Sequence, residues 1–420
     1  MDDMLLDKKK PAKKLARQPD IPEPVFTPPE EVAAAEEAAE EIQSLTTPEK
    51  PSKTAWWHKI SQLSKKQKIL FGAAVAIVIL GGGTTAALLL HKKPVPVKVV
   101  APAPVVQKVV EPPKPTTVAG KLTGVQMTPE LNQRGVTGVM VENSIDARPQ
   151  SGLLDAGIVY EAIAEGGITR FLTLFQEGQP DYIGPVRSAR PYYIRWLLPY
   201  SASYMHIGGS AVALQMIAQT GIRDIGEGGS DNPISRISTR YQPHNAYTSM
   251  AKLDKVRVDR GWGNPDFTGL ARKAEAPSKA PTAIAIGFKI SGEDFNVHYD
   301  YDAVTNSYKR SEGGKPHLDE KSGKQLSPKV VVSLIIPYSI DPDDIHSDYK
   351  SIGSGEAYIF QDGTAQDVMW SKPTDSAPLI LQDSTGKPVP INPGQTWFTA
   401  LAAANLSSYI GPTTPAVAGN

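Results

Sequence analysis

The 420-residue chain contains no cysteine. That excludes disulfides, thiolate nucleophiles, cysteine-ligated metal and an anchor through a lipid-modified cysteine. An exported domain that needs no cross-links fits this composition, and so does a cytosolic one. No sign of charge dominates, since 44 Lys and Arg balance 44 Asp and Glu. The basic footprint of a nucleic-acid binder is therefore missing. So are several chemical signatures. There is no His-x-x-x-His pair, no Walker phosphate loop and no G-x-S-x-G nucleophile elbow. Neither a metal site nor a cofactor is expected.

What the chain does have is an uncharged run of 22 residues at 69–90. As a helix it would extend roughly 33 Å, enough to cross a bilayer core. Its glycines are compatible with a membrane helix. The 68 residues before it are too long a leader for a cleaved secretory signal. Lys59, Lys65, Lys66 and Lys68 precede the run, and Lys92, Lys93 and Lys98 follow it. The small positive bias places the N-terminus in the cytoplasm and the C-terminal bulk outside.

Residues 1–68 read as a disordered cytoplasmic tail, with a basic cluster, a proline-rich stretch and an acidic segment that has almost no apolar stripe. Residues 91–120 form a proline-rich linker. Its dense part, 94–118, favours polyproline II and would act as a spacer of ~75 Å. Residues 121–420 carry 27 Lys and Arg against 31 Asp and Glu, a net charge of −4. The fold class expected is α/β plus mainly β, a two-part extracytoplasmic globular region behind a single transmembrane helix. Strands alternate with helical patterns over 121–274, a mixed α/β domain. Strand-like runs joined by Gly, Asn and Asp turns fill 282–410, a mainly β domain. The boundary falls at 276–281.

The first of these regions holds polar residues inside apolar runs. Residues 158–163 and 168–175 read as two strands around a turn at 164–167. A register symmetric about that turn sets Ile163 opposite Ile168, Glu161 opposite Arg170 and Val159 opposite Leu172. The result is an ion pair on an apolar face, serving either to specify the fold or to orient a ligand. Glu165, in the turn, is the freer carboxylate and the better ligand candidate. Downstream, Ser188 can cap a helix with Pro191 in its first turn, which clusters Arg187 and Arg190 at a helix N-terminus. Two guanidiniums there call for an anion. It is either a protein carboxylate, Glu142 or Glu165, or a ligand phosphate or carboxylate.

Residues 203–207 read as a strand carrying His206. They lead into a Gly-Gly-Ser turn ending at Ser210 and a helix over 211–220. The turn is either a phosphate cradle or simply tight. His244 and Asn245 follow Pro243 in a loop that also holds Arg236 and Arg240. His206 or His244 suits neutral-pH proton transfer, with Glu142 or Glu165 as a further acid or base. In the second region, His317 is placed to reach across a domain interface, and His298, within a strand, reads as structural.

Several of these stretches resemble the YerB-like family of DUF3048-domain proteins. The matching pieces are VENSIDARPQSGL at 141–153, EGGITRF within 158–175, GPVRSARP at 184–191, HIGGS at 206–210, Pro243 to Asn245, His317, and PGQTW at 393–397. The resemblance implies an N-terminal and a C-terminal domain and an envelope location, typically as a bacterial lipoprotein. This chain has no lipid-attachment cysteine and a candidate membrane span instead. The resemblance implies no reaction.

Three functions remain open. The first is a membrane-tethered envelope protein that holds an anionic cell-wall ligand or regulates cell-wall synthesis proteins, through Arg187, Arg190, Arg170, Glu161, Glu165, His206, Ser210, His244, Asn245 and His317. The second is a hydrolase or transferase on envelope polymers using His and Glu acid–base catalysis, with the arginines stabilising negative charge. The third is a scaffold whose charges are structural. The membrane is the expected partner, a cell-wall polymer or protein the candidate one, and nucleic acid is not expected.

Overall fold

The computed structural model describes residues 116–228, 231–264, 266–341 and 345–410. The expected tail, membrane span and most of the linker lie outside these residues. Among the described residues no helix is long and apolar enough to cross a membrane. What is described is mostly β with a few short helices.

Among the described residues are three short two-stranded ladders: β1 (Val118–Ala119) with β2 (Gln126–Met127), β8 (Ser235–Arg236) with β9 (Ala246–Tyr247), and β15 (Tyr338–Ile340) with β16 (Ser347–Tyr349). The body is a ten-stranded sheet. From the first half come β3 (Thr137–Glu142), β4 (Ile158–Glu165), β5 (Ile168–Phe175), β6 (Ser203–His206) and β7 (Arg223–Gly226). From the second come β14 (Val330–Ile335), β17 (Gly353–Gln361), β18 (Thr364–Lys372), β19 (Ile380–Gln382) and β20 (Thr396–Leu401). Their order is β19-β18-β17-β14-β20-β4-β5-β3-β6-β7, with β20 parallel to both β14 and β4. The two sequence stretches expected as separate domains thus build one sheet, joined along β20 and β4. A second sheet, β13-β12-β11-β10-β21, is made of β10 (Ala285–Phe288), β11 (Val297–Asp302), β12 (Ser307–Glu312), β13 (Lys315–Pro316) and β21 (Ser407–Ile410).

Alternation along the strands sorts the core into two layers. Register places Val331, Trp397 and Val159 in one row, and Val332, Phe398 and Tyr160 in the next, on the opposite face. The Trp397 face packs on the second sheet, where Phe288 meets Phe360 at 6.0 Å between centroids. The Phe398 face packs on the helix at Pro191–Leu197, where Tyr160 stacks between Phe398 and Trp196 at 4.8 and 5.3 Å. The helices are α1 (Pro129–Asn132), α2 (Pro191–Leu197), α3 (Ala211–Thr220) and α4 (Met250–Asp259). Ser210 caps α3 by accepting from Ala213 N, and Gly221 ends it in the left-handed region.

Two local expectations need correction. The turn between β4 and β5 is the glycine pair Gly166 and Gly167, both at positive φ, and not the four residues 164–167. A bulge between Ile163 and Glu165 shifts the ladder, so Glu161 lies opposite Phe171 and Ala162 opposite Arg170. A shift of one residue moves Glu161 and Arg170 to opposite faces of the sheet, and they do not pair. Secondly, α2 begins at Pro191 with Arg190 as its N-cap, without a side-chain cap, and not with Ser188. The residue before a proline is held extended, and Arg190 is (φ −136°, ψ 151°), so no helix can begin earlier.

Candidate functional site

On the α2 face, register brings Glu142, Arg170 and Ala162 level across β3, β5 and β4. Arg170 donates from Nη2 to Glu165 Oε1 at 2.5 Å and from Nη1 to Ser188 O at 3.0 Å. Arg190 takes the other oxygen of the same carboxylate, Nη2 to Glu165 Oε2 at 2.5 Å. Arg187 donates to Glu142 Oε1 at 2.7 Å. The anions that Arg187 and Arg190 require are therefore protein carboxylates, Glu142 and Glu165. Three guanidiniums nevertheless share two carboxylates. The Nε of Arg187 and of Arg190 are buried without a partner. Burial and the neighbouring Arg170 lower the pKa of Arg190, against the pull of Glu165. Burial raises that of Glu165, but Arg170 and Arg190 outweigh it and the net shift is downward. Arg187 and Glu165 keep 22% and 28% of their side chains exposed, so the cluster opens to solvent at these two groups.

His244 adjoins this cluster. Its Nδ1 lies 3.0 Å from both oxygens of Glu142 and 3.3 Å from Ser144 Oγ, which itself donates to Glu142 Oε1 at 2.8 Å. Among the described residues, Nε2 makes no hydrogen bond. The carboxylate thus orients the ring and leaves the distal nitrogen available, the arrangement a general base needs. Ser144 reaches the same nitrogen as Glu142, so the three do not form a nucleophilic relay.

Other expected residues lie apart from this group. His206 is buried, with Nδ1 2.7 Å from Gly208 O and Nε2 2.9 Å from Asp224 Oδ1. Both ring nitrogens face acceptors, so neither is open in the way His244 Nε2 is. Burial raises the Asp224 carboxyl, but its bond to His206 outweighs that and lowers it. The Gly-Gly-Ser turn is occupied by backbone: Ala189 N donates to Gly208 O at 3.0 Å and Ser210 N to Ala189 O at 3.4 Å. Ser210 is a helix cap, and its own N–H is taken by the backbone of Ala189. Asn245 is buried and accepts from Arg236 Nη1 at 3.1 Å. His298 is half exposed and pairs with Asp300 at 3.0 Å.

The opposite face carries a second, closed network that joins the two halves. Arg310 on β12 grips Glu161 with one nitrogen, at 2.8 and 2.9 Å, and both side chains are fully buried. Trp397 Nε1 donates to Glu161 Oε2 at 2.9 Å, and the guanidinium lies 4.5 Å from the Trp397 ring centroid. Arg310 Nη1 also donates to His317 Nδ1. Since Arg310 can only donate, His317 Nε2 carries the proton and donates to Gln150 Oε1 at 2.8 Å. Burial, then Arg310 and Arg148, push the His317 pKa well below 6.5, so the ring stays neutral. Glu312 accepts from Asn143 at 2.6 Å, and burial raises its carboxyl despite Arg310 nearby. His317 does reach across to the first half, as a structural tie. Sequence reasoning missed Arg310, Glu312, Asn143, Arg148 and Gln150. A signal was present: in β12, Tyr308, Arg310 and Glu312 recur at period two, so both charges share the face of a core tyrosine.

Residues 122–263 match the family described as "Protein of unknown function (DUF3048) N-terminal domain", and residues 285–398 match its C-terminal domain. The chain belongs to the DUF3048 family. It is 30% identical over 298 residues to a protein of Bacillus subtilis (strain 168) named "Putative lipoprotein YerB", covering 69% of this chain and 89% of that one. The crystal structure of the YerB protein from Bacillus subtilis superposes with a TM-score of 0.63 at 28% identity, over 69% of this chain and 99% of the other. The family as described has no assigned reaction. DUF3048 membership therefore leaves the role of the Arg187, Arg190 and His244 cluster to its geometry.

Proposed function

We propose that this chain is a membrane-anchored extracytoplasmic protein of the bacterial envelope that binds an anionic group of a cell-wall polymer at Arg170, Arg187 and Arg190. The lipoprotein name of its YerB relative supports the location. The uncharged run at 69–90 would replace the lipid anchor in a chain without cysteine. The observation that carries the binding role is the charge count: three guanidiniums against two carboxylates, with Arg187 and Glu165 partly open to solvent. A phosphate or carboxylate arriving beside the exposed part of the Arg187 guanidinium would balance the surplus. The test is equilibrium binding of the detergent-solubilised full chain to purified wall fragments, comparing wild type with Arg187→Gln. Weaker binding by the variant, with a steep loss in added salt, is expected. Equal binding by the two proteins would sink the assignment.

A second reading, a hydrolase or transferase on envelope polymers, is favoured by one feature, the free Nε2 of a His244 ring oriented by Glu142. Release of labelled wall polymer that disappears in His244→Ala would establish it. Absence of turnover across a broad panel of envelope polymers would leave the binding role.

A further inference from the structure

The loop that carries His244 also presents an aromatic side chain that is almost fully exposed and stacks on no ring among the described residues. Tyr241 is 91% exposed, whereas Tyr160, Tyr192, Tyr193, Tyr204 and Tyr247 are buried in the core. The loop that holds it is clamped. Arg240 donates to Asp146 O at 3.0 Å and Pro149 O at 2.8 Å and lies 3.3 Å from Glu320 Oε1. His244 N donates to Tyr241 O at 2.8 Å, closing the turn, and Ile237 N donates to Asn245 O at 2.9 Å across its base. The same Arg240 contact ties the loop to the segment carrying Ser144 and Ile145, and Ile145 is itself 56% exposed. An exposed aromatic on a fixed turn keeps its apolar ring in water and loses little conformational freedom when something covers it. The same loop carries His244, whose Nδ1 lies 3.3 Å from Ser144 Oγ and which shares the carboxylate of Glu142 with Arg187.

We infer that the occupant of this site is an acidic glycan, with Tyr241 as the platform on which the apolar face of a pyranose ring stacks. This rests on the anion-binding reading above and names its ligand class. The chemistry has three parts, each with a partner present: a ring with C–H groups on one face for Tyr241, hydroxyls for His244 and Ser144, and one negative substituent for Arg187. A bare phosphodiester would use only the last.

The experiment measures binding of two probes to the detergent-solubilised full chain by calorimetry: the disaccharide of N-acetylglucosamine and N-acetylmuramic acid, and glycerol 3-phosphate. Wild type is expected to bind the acidic disaccharide more tightly. Tyr241→Ala should weaken the disaccharide about five-fold and leave glycerol 3-phosphate unchanged, the scale of one stacking contact. Arg187→Gln should weaken both. Because Tyr241 is so exposed, its variant should melt with wild type, which a thermal scan verifies. If Tyr241→Ala leaves the disaccharide unaffected while Arg187→Gln weakens both probes, the glycan inference falls and the anion site stands. If neither probe binds, or neither responds to Arg187→Gln, both fall.

Discussion

Removing the carboxylate of Glu161 should be among the most damaging single changes in this protein. Glu161→Ala would leave Arg310 fully buried, with its carboxylate partner gone and only Glu312, at 3.4 Å, to answer it. Burial by itself works against the guanidinium's charge, and Glu161 and Glu312 together more than reverse this, raising its pKa. Stranding one member of such a pair costs about 3–5 kcal/mol, against a domain stability of about 5–15 kcal/mol. Replacing both by Met should recover much of that, since a well-packed apolar pair loses neither hydration nor a partner. The assay is urea unfolding followed by tryptophan emission, since Trp196, Trp370 and Trp397 are all buried in the core and become exposed on unfolding. A double-mutant cycle sharpens it. Coupling between Glu161 and Arg310 should exceed about 2 kcal/mol, while Glu161 and Arg170, on opposite faces of the sheet, should add within about 0.5 kcal/mol. Equal coupling in the two cycles, or a Glu161→Ala cost below about 1 kcal/mol, would refute the reasoning.

Ser210→Ala removes the acceptor for Ala213 N and should cost about 1 kcal/mol in thermal or urea unfolding while leaving wall-fragment binding unchanged. Loss of binding with intact stability would return the turn to the list of ligand contacts. His317 predicts a pH effect. Its folded pKa lies well below 6.5, so below that pH the unfolded chain takes up a proton that the folded chain refuses. Stability from this group is complete above about pH 6.5 and declines as pH falls through and below it. Subtracting the pH profile of His317→Gln from that of wild type should isolate a slope of this sign. A flat difference would mean that the ring is protonated, or free to be, inside the fold.

Much of the secondary structure is legible in the chain. The strand at Ser203–His206 and the helix at Ala211–Thr220 stand where the residue pattern around the Gly-Gly-Ser turn puts them. Strands in the second half, such as Val330–Ile335 and Ile380–Gln382, fall within the runs bounded by turn residues. The hairpin register was not legible. A bulge adds one residue to one side of the ladder, leaves no mark in the hydrophobic pattern, and reverses which face each charge takes. The start of α2 could have been read correctly from Pro191 alone, since proline restrains the residue before it more firmly than serine attracts a cap.

The chain by itself establishes local matters: where strands and helices form, which residues cap or break them, that cysteine chemistry is absent, and that the globular part is nearly neutral. These follow from rotamer, capping and period rules acting within a few residues. Which charge meets which is a different kind of fact. Glu161 finds Arg310, 149 positions away, because β12 lies across the Trp397 face of the central sheet. Arg187 finds Glu142, 45 positions away. An ion pair between distant segments depends on the stacking of sheets and on ladder register, and no local rule encodes either, so only the assembled layers decide it.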